Sequence, residues 1–477
     1  MLTIGFVLET LTEYQASGPA AGHETPLVSV VIDSRQARPG TLFIAFQGER
    51  VDGHNFVAEA FSRGAVAALV EHPVDEYPTI DCRRPWADQE NSSLETPLCL
   101  VVESTLLALQ ALGKRWRSRF DHLRVIGITG SVGKTTTKEL THAVLSKHYR
   151  TLKSEASFNN EIGLPLTLLS LRSWHERAVL EMGMYTTGEI RLLCDLARPH
   201  IGVVTIIGSV HMERAGSLEA IATAKQELVE ELPPAPEGIA VLNKDDPLVM
   251  AMAAHTKARV FTYGLDDRAD IWADRVVSMG LDGIRFRIHH GREQLQVHVP
   301  LLGRHSVHTS LRAAAVGLAE GLTWEELVAG LQGLTDQLRL VAVPGPHNSI
   351  ILDDTYNSSP ESAVAALNLL ADLDGRRIAV LGDMLELGPV EEASHWLVGR
   401  RAREVAHIVV AVGPLGRIIG EAALSAGLPT NRVFIAEDTA EAVSILEDII
   451  EPADVILVKG SRGARLDHIV SMLGQDG

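Results

Sequence analysis

The 477-residue chain predicts an α/β protein of three domains. These are a small N-terminal α/β domain (1–103), a central domain with a phosphate-loop, NTPase-like, mostly parallel sheet (104–341), and a C-terminal Rossmann-like open sheet (342–477). Three observations predict it. Apolar strand-like runs alternate with helical patterns in two separate blocks, as doubly wound sheets require. A glycine loop joins strand to helix near residue 130. Between the two blocks the pattern changes to paired, antiparallel-looking strands.

In the first domain, LVSVVI (27–32), TLFIAF (41–46) and AVAALV (65–70) read as strands. The polar, proline-containing stretch 71–97 reads as an exposed loop. An amphipathic helix over 104–120 opens the second block, followed by strand RVIGIT (124–129) and a helix from about Thr135. Further strands fall at RAVLEM (177–182), IGVVTII (201–207) and GIAVLN (238–243). Beyond Phe261, DGIRFRIHH (282–290) and EQLQVHVP (293–300) suggest an antiparallel pair, closed by a helix over 308–322. The third block repeats the alternation with SIILDD (349–354), RRIAVLG (376–382), AHIVVAVG (406–413), RVFIAE (432–437) and DVILVKG (454–460). Its ligand site is expected at the carboxyl ends of those strands.

Hydrophobic content of 46% and charged content of 22% fit a globular protein. A formal net charge of −18 argues against a nucleic-acid partner. No apolar run is long enough to insert in a membrane, and the N-terminus lacks a signal-peptide pattern. Cys82, Cys99 and Cys194 form neither a zinc spacing nor a disulfide framework. A cytoplasmic monomer is the expectation.

The loop TGSVGKTTT, Gly130–Ser131–Val132–Gly133–Lys134–Thr135–Thr136 at its heart, is shorter than the usual ATP loop. That pattern needs Gly, four residues, then Gly-Lys-Ser/Thr. Ile128 stands where its first glycine belongs, so the functional loop starts at Gly130. The glycines let backbone N–H groups approach phosphate oxygens, Lys134 reaches the terminal phosphates, and the Thr135 hydroxyl suits Mg²⁺.

Glu181 ends the next apolar strand, either as a solvated carboxylate or as an acid for the metal. His211 follows strand 201–207 at the same sheet end. The helix SLEAIATAKQELVEEL, with Ser217 as its N-cap, carries Leu218, Ile221, Leu228 and Leu232 on one face, and Lys225 lies in the middle of that face. Such a lysine either snorkels its head into water or is desolvated, with a depressed pKa and a reactive amine. NKDD (243–246) offers a rival reading as a guanine site, but no long Walker loop and no Asp-x-x-Gly accompany it.

Taken together, TGSVGKTTTKE, SFNNEIGLPLTLL (157–169), LEMGMYTTGEI (180–190), HMERAGSLEAIATAKQEL (211–228), DDTYNSSPES (353–362) and LGDMLELG (381–388) resemble the Mur ligases, ATP-dependent amide-forming enzymes of peptidoglycan synthesis. The likeness spans nearly the whole chain. It is strongest to the branch that joins D-alanyl-D-alanine (D-Ala-D-Ala) to UDP-N-acetylmuramoyl-tripeptide (UDP-MurNAc-tripeptide).

That resemblance implies ATP and Mg²⁺ as cofactors. Lys134, Glu181, His211 and Lys225 would be catalytic, with Thr135, Glu181, His211 and a carbamylated Lys225 serving the magnesium sites. Arg339 and Asp354 would contact the nucleotide. Asn159, Asn160, Tyr356 and Asn357 would face substrate, and Ser34, Arg35, Gly48, His54 or Asn55 would lie near UDP. The C-terminal domain would bind D-Ala-D-Ala and close on ATP. One departure stands out: Ser306 and Thr309 replace two asparagines of the family pattern, one of which helps to hold adenine. Alternatives are another Mur or folylpolyglutamate-type ligase, or a nucleotide-switch GTPase.

Overall fold

A computed structural model describes residues 1–12, 22–48, 51–84, 94–155, 158–210, 212–333 and 340–474. Its strands form three mostly parallel sheets. The chain divides into two compact units, residues 1–125, 150–182 and 191–199 in the first and 126–149, 183–190 and 200–477 in the second.

In the first unit a five-stranded parallel sheet runs in the order Ser29–Val31, Thr41–Ile44, Ala65–Val70, Leu98–Val101, Thr79–Asp81. Thr41–Ile44 and Leu98–Val101 are buried along their whole length, as strands covered on both faces must be. The stretch expected to be an exposed loop contains the edge strand Thr79–Asp81. Three residues with polar flanks make no apolar run, and Ile80 alone is driven inside, at 1% exposure. Leu98–Val101, just beyond that stretch, is a further strand the sequence pattern did not single out.

The helix Thr105–Arg117 starts where the Ser104 hydroxyl accepts a hydrogen bond from the Leu107 N–H at 3.3 Å. It packs on Gly163–Leu169 so closely that a Cβ at Gly113 would lie 3.0 Å from Pro165. The strands Thr151–Lys153 and Arg177–Glu181 pair in parallel within the same unit.

The second unit holds the run Glu293–Val299, Ile284–His290, Ile271–Ser278, Arg259–Gly264, Ile239–Asn243, Ile201–Val204 and, from Ile126 on, Arg124–Thr129, in that spatial order. The last five are parallel; the first two form the expected antiparallel pair, which Ile271–Ser278, a strand the sequence pattern did not single out, extends to three. Its six-stranded sheet is ordered Val341–Pro344, Ile350–Asp354, Val455–Lys459, Arg377–Gly382, Ile408–Val412, Val433–Ala436. Only the edge strand Val341–Pro344 is antiparallel.

Alternation builds two cores from this sheet. Leu352, Ala379, Leu381, Val409 and Leu457 fill one face, while Ile351, Ile378, Val380, Val410 and Ile456 fill the other. Each such Leu, Ile or Val contributes about 1.5–3 kcal/mol by leaving water. That burial fixes the register Asp354↔Lys459, which sets an acid beside a base at the carboxyl end of the sheet.

Candidate active site

Strand Arg124–Thr129 runs straight into the phosphate loop, and the helix Lys134–Leu145 leaves it. Gly133, at φ +85°, caps that helix in the left-handed conformation. Gly130 must lack a side chain for another reason: a Cβ there would lie 1.8 Å from Thr205 Oγ1. The same hydroxyl donates to the Val132 carbonyl at 2.7 Å. Ser131 N–H donates to the Ile206 carbonyl at 2.8 Å, and its hydroxyl accepts from the Gly208 N–H at 2.9 Å. The loop is thus pinned along its length to the segment after strand Ile201–Val204. Lys134 Nζ arches back over it, donating to the Gly130 carbonyl at 2.8 Å.

Lys225 settles one of the open alternatives. Its helix, Leu218–Glu230, is capped by Ser217 as expected, with the hydroxyl accepting from the Ala220 N–H at 3.1 Å. Lys225 is 1% exposed, so it does not snorkel. Leu218, by contrast, is 36% exposed. Burial first, and the charge of Lys134 second, push the Lys225 amine well below the ordinary lysine range.

Ser131, Val132, Gly133 and Thr136 form one wall of a cavity of about 600 Å³ in the second unit. Asp354, Asn357 and Lys459 lie on another wall, and Asn243, Asp245, His305, Thr309 and Arg312 on a third. Lys459 is 1% exposed; its Nζ donates to Asp354 Oδ2 at 2.7 Å and to the Asn357 carbonyl at 2.9 Å. Tyr356 is 41% exposed beside them.

The NKDD carboxylates are committed to the fold. Asp245 accepts from the Leu265 and Asp266 N–H groups and from His308 Nε2, while Asp246 caps the helix Pro247–Ala251 and accepts from the Ile207 N–H. These bonds stand against a guanine-reading role.

Several expected residues fall in the first unit. Glu181 ends its strand at 2% exposure, so it is no solvated carboxylate; Asn159 Nδ2 donates to its Oε1 at 2.9 Å. Asn160 Oδ1 accepts from the Gly163 N–H at 2.9 Å, starting the helix Gly163–Leu169. Ser34 donates to Glu59 Oε2 at 2.7 Å, and Arg35 forks onto Asp33.

His54 is buried with both ring nitrogens used: Nδ1 lies 2.6 Å from Asp52 Oδ1, and Nε2 accepts from the Glu71 N–H at 2.9 Å. It belongs to a cluster with Asp52 and His72. Gly48 and Asn55 are exposed on this segment. His211 and Arg339 lie outside the described residues.

Sequence reasoning missed Thr205, Lys459, His308 and Arg312. Lys459 was legible as the last residue of strand DVILVKG, where ligand-facing groups gather. Thr205 carried no signal, since its role is a close approach to a glycine from another strand. Arg312 sits in LRAAAVGL, an otherwise apolar helical run, and an arginine there asks for a buried partner.

Three family profiles match the chain in succession: "Mur ligase family, catalytic domain" over residues 27–93, "Mur ligase middle domain" over 128–317, and "Mur ligase, glutamate ligase domain" over 339–462. A protein named UDP-N-acetylmuramoyl-tripeptide–D-alanyl-D-alanine ligase, from Bacillus subtilis (strain 168), is 38% identical over 455 residues, 94% of each chain. Among solved structures, MurF from Acinetobacter baumannii is similar at a TM-score of 0.83 and 30% identity, covering 99% of this chain and 98% of that one. MurF ligase from Thermotoga maritima, solved in complex with ADP, is similar at a TM-score of 0.75 and 26% identity, over 94% of this chain and 97% of that one.

Proposed function

The chain belongs to the Mur ligase family, and from that premise we propose that it joins D-alanyl-D-alanine to UDP-N-acetylmuramoyl-tripeptide, spending ATP and releasing ADP and phosphate. The observation that carries this reading is the short phosphate loop, its Lys134 folded back on the Gly130 carbonyl, in one unit with a fully buried lysine, Lys225.

A carboxylate resists attack by an amine because it has no good leaving group. Transfer of the γ-phosphoryl group onto a carboxylate oxygen of the tripeptide gives an acyl phosphate. The amine of D-alanyl-D-alanine then attacks the acyl carbon, phosphate departs with the bridging oxygen, and the amine loses a proton. Two anions must meet in the first step, so Lys134 neutralises charge on the transferring group while the loop N–H groups hold the phosphates. Asp354, oriented by Lys459 across one register pair, is poised for the ribose hydroxyls at the cavity wall.

Magnesium, when bound, neutralises phosphate charge. In the second unit the Thr135 hydroxyl suits a hard ion; in the first, taken by itself, so does the Glu181 carboxylate, held in a fixed orientation by Asn159. Lys225 fits the same chemistry after modification. A neutral, desolvated amine adds to carbon dioxide with loss of a proton, turning a buried amine into a carboxylate. Exposed Arg35, Gly48 and Asn55 in the first domain are assigned to the UDP end, and Asn160, Tyr356 and Asn357 to the peptide substrates. Buried free thiols at Cys82, Cys99 and Cys194 suit a reducing, cytoplasmic setting. Among the described residues no helix is long and apolar enough to cross a membrane.

Phosphate release from ATP, with UDP-MurNAc-tripeptide and with or without D-alanyl-D-alanine, tests the proposal. Release is expected to require both substrates and to accompany peptide-bond formation. ATP hydrolysis indifferent to either substrate, or a preference for GTP, would overturn it.

A further inference from the structure

Arg312 is an oddity that the proposed chemistry does not use. It lies on the helix Ser306–Ala319, which packs along Lys134–Leu145, and it is 5% exposed. A buried guanidinium is costly to desolvate and is normally paired with a carboxylate. Among the described residues no carboxylate pairs with it. Nη2 donates to Thr309 Oγ1 at 2.8 Å, the group stands 5.8 Å from the Tyr263 ring centroid, and Nε has no hydrogen-bond partner.

Its direction sharpens the problem. A Cβ at Gly133 would lie 3.4 Å from Arg312 Nη2 and 3.6 Å from Nη1, so the terminal nitrogens face the glycine that starts the loop helix. A helix N-terminus is a positive end, with N–H groups that have no intrahelical acceptor. Lys134 begins the same helix. A cation held there, on the wall of the cavity, adds positive charge where positive charge already gathers. An anion in the cavity would resolve all three at once.

The neighbouring hydroxyls explain how the group is held. The Ser306 hydroxyl donates to the Leu302 carbonyl at 2.7 Å, which commits it to its own helix. Thr309 accepts from Arg312 and so fixes the plane of the guanidinium. Thr309, where the family pattern has an asparagine, here positions a cation.

We propose that Arg312 binds the phosphate chain of the nucleotide, as a second cation beside Lys134. The inference rests on the ATP-dependent reading and adds a residue to it. Guanidinium forks suit phosphate oxygens better than an ammonium does, so Arg312→Lys should recover only part of the contact.

Equilibrium binding of ADP and adenosine to wild type, Arg312→Met, Arg312→Gln and Arg312→Lys tests it, with unliganded melting curves as the check on folding. Arg312→Met and Arg312→Gln are expected to bind ADP about 10- to 100-fold more weakly, with adenosine affinity unchanged and Arg312→Lys between. Gln keeps a donor for Thr309 without the charge, so it serves if Met fails to fold. ADP affinity within twofold of wild type in either neutral variant overturns the inference, as does an equal loss for adenosine, which would mean a contact to the nucleoside. Wild type that binds no ADP would sink the ligase reading and this inference with it; unaffected variants beside a binding wild type sink the inference alone.

Discussion

Lys225 and Lys459 lie in the same unit and are equally buried, at 1% exposure each, yet their surroundings make them different chemicals. Lys459 ends a strand of the six-stranded sheet and gives its proton-bearing head to Asp354 and to the Asn357 carbonyl. It is a cation with its counter-charge in place. Lys225 lies in mid-helix, where among the described residues nothing accepts from its head and the charge that reaches it is that of Lys134. Burial with a partner makes a lysine structural; burial against another cation makes it an amine ready to react.

The largest effect should come from Lys134, the lysine of the phosphate loop. Lys134→Ala is expected to cut ATP turnover by about a thousand-fold, with the melting curve little changed, since its side chain bonds loop carbonyls rather than core. Retained turnover in a steady-state assay would remove Lys134 from phosphoryl transfer. Lys225→Ala should lose about a hundred-fold in rate and regain part of it when formate or acetate is added, because a small carboxylate can stand in for the carbamate. Full activity without the additive would show that the buried amine is not the group that matters.

Loss of the amine at the other lysine should read out as stability. Lys459→Met leaves Asp354 without its cation and should cost about 3 kcal/mol in denaturant unfolding, with no rescue by carboxylates. An unchanged midpoint would erase the contrast between the two sites.

The smallest effect carries a sign. In protein freed of bicarbonate, Lys225 binds its proton less readily when folded than when unfolded. Between the depressed folded value and the unfolded value near 10.5, the unfolded state holds more protons, so stability rises with pH across that window. Lys225→Met should therefore be more stable than wild type near neutrality, with the gap closing as pH climbs towards 10.5. A gap that widens with pH would contradict the assignment.

Much of this was legible in the sequence, and what was missed has a common cause. Strands with their own apolar runs, such as Arg124–Thr129 and Ala65–Val70, were placed to the residue, because period and composition are local. The loop at Gly130 and the lysine at 225 were also legible, one from spacing and the other from a charge on an apolar face. Thr79–Asp81 was hidden because an edge strand of three residues buries a single side chain, Ile80. Thr205 and His308 act through partners far along the chain, and Arg312, though held by nearby Thr309, faces the distant Gly133; no window of sequence brings those together. Burial had to be seen to decide between the two readings of Lys225, since snorkelling and desolvation share one pattern.

The acyl phosphate stands at the centre of the account, and labelling the tripeptide carboxylate with oxygen-18 tests it most directly. With ATP, D-alanyl-D-alanine and labelled UDP-MurNAc-tripeptide, mass spectrometry should find one labelled oxygen in the released phosphate, carried there as the bridge of the acyl phosphate. Phosphate that leaves unlabelled while the peptide bond still forms would contradict it.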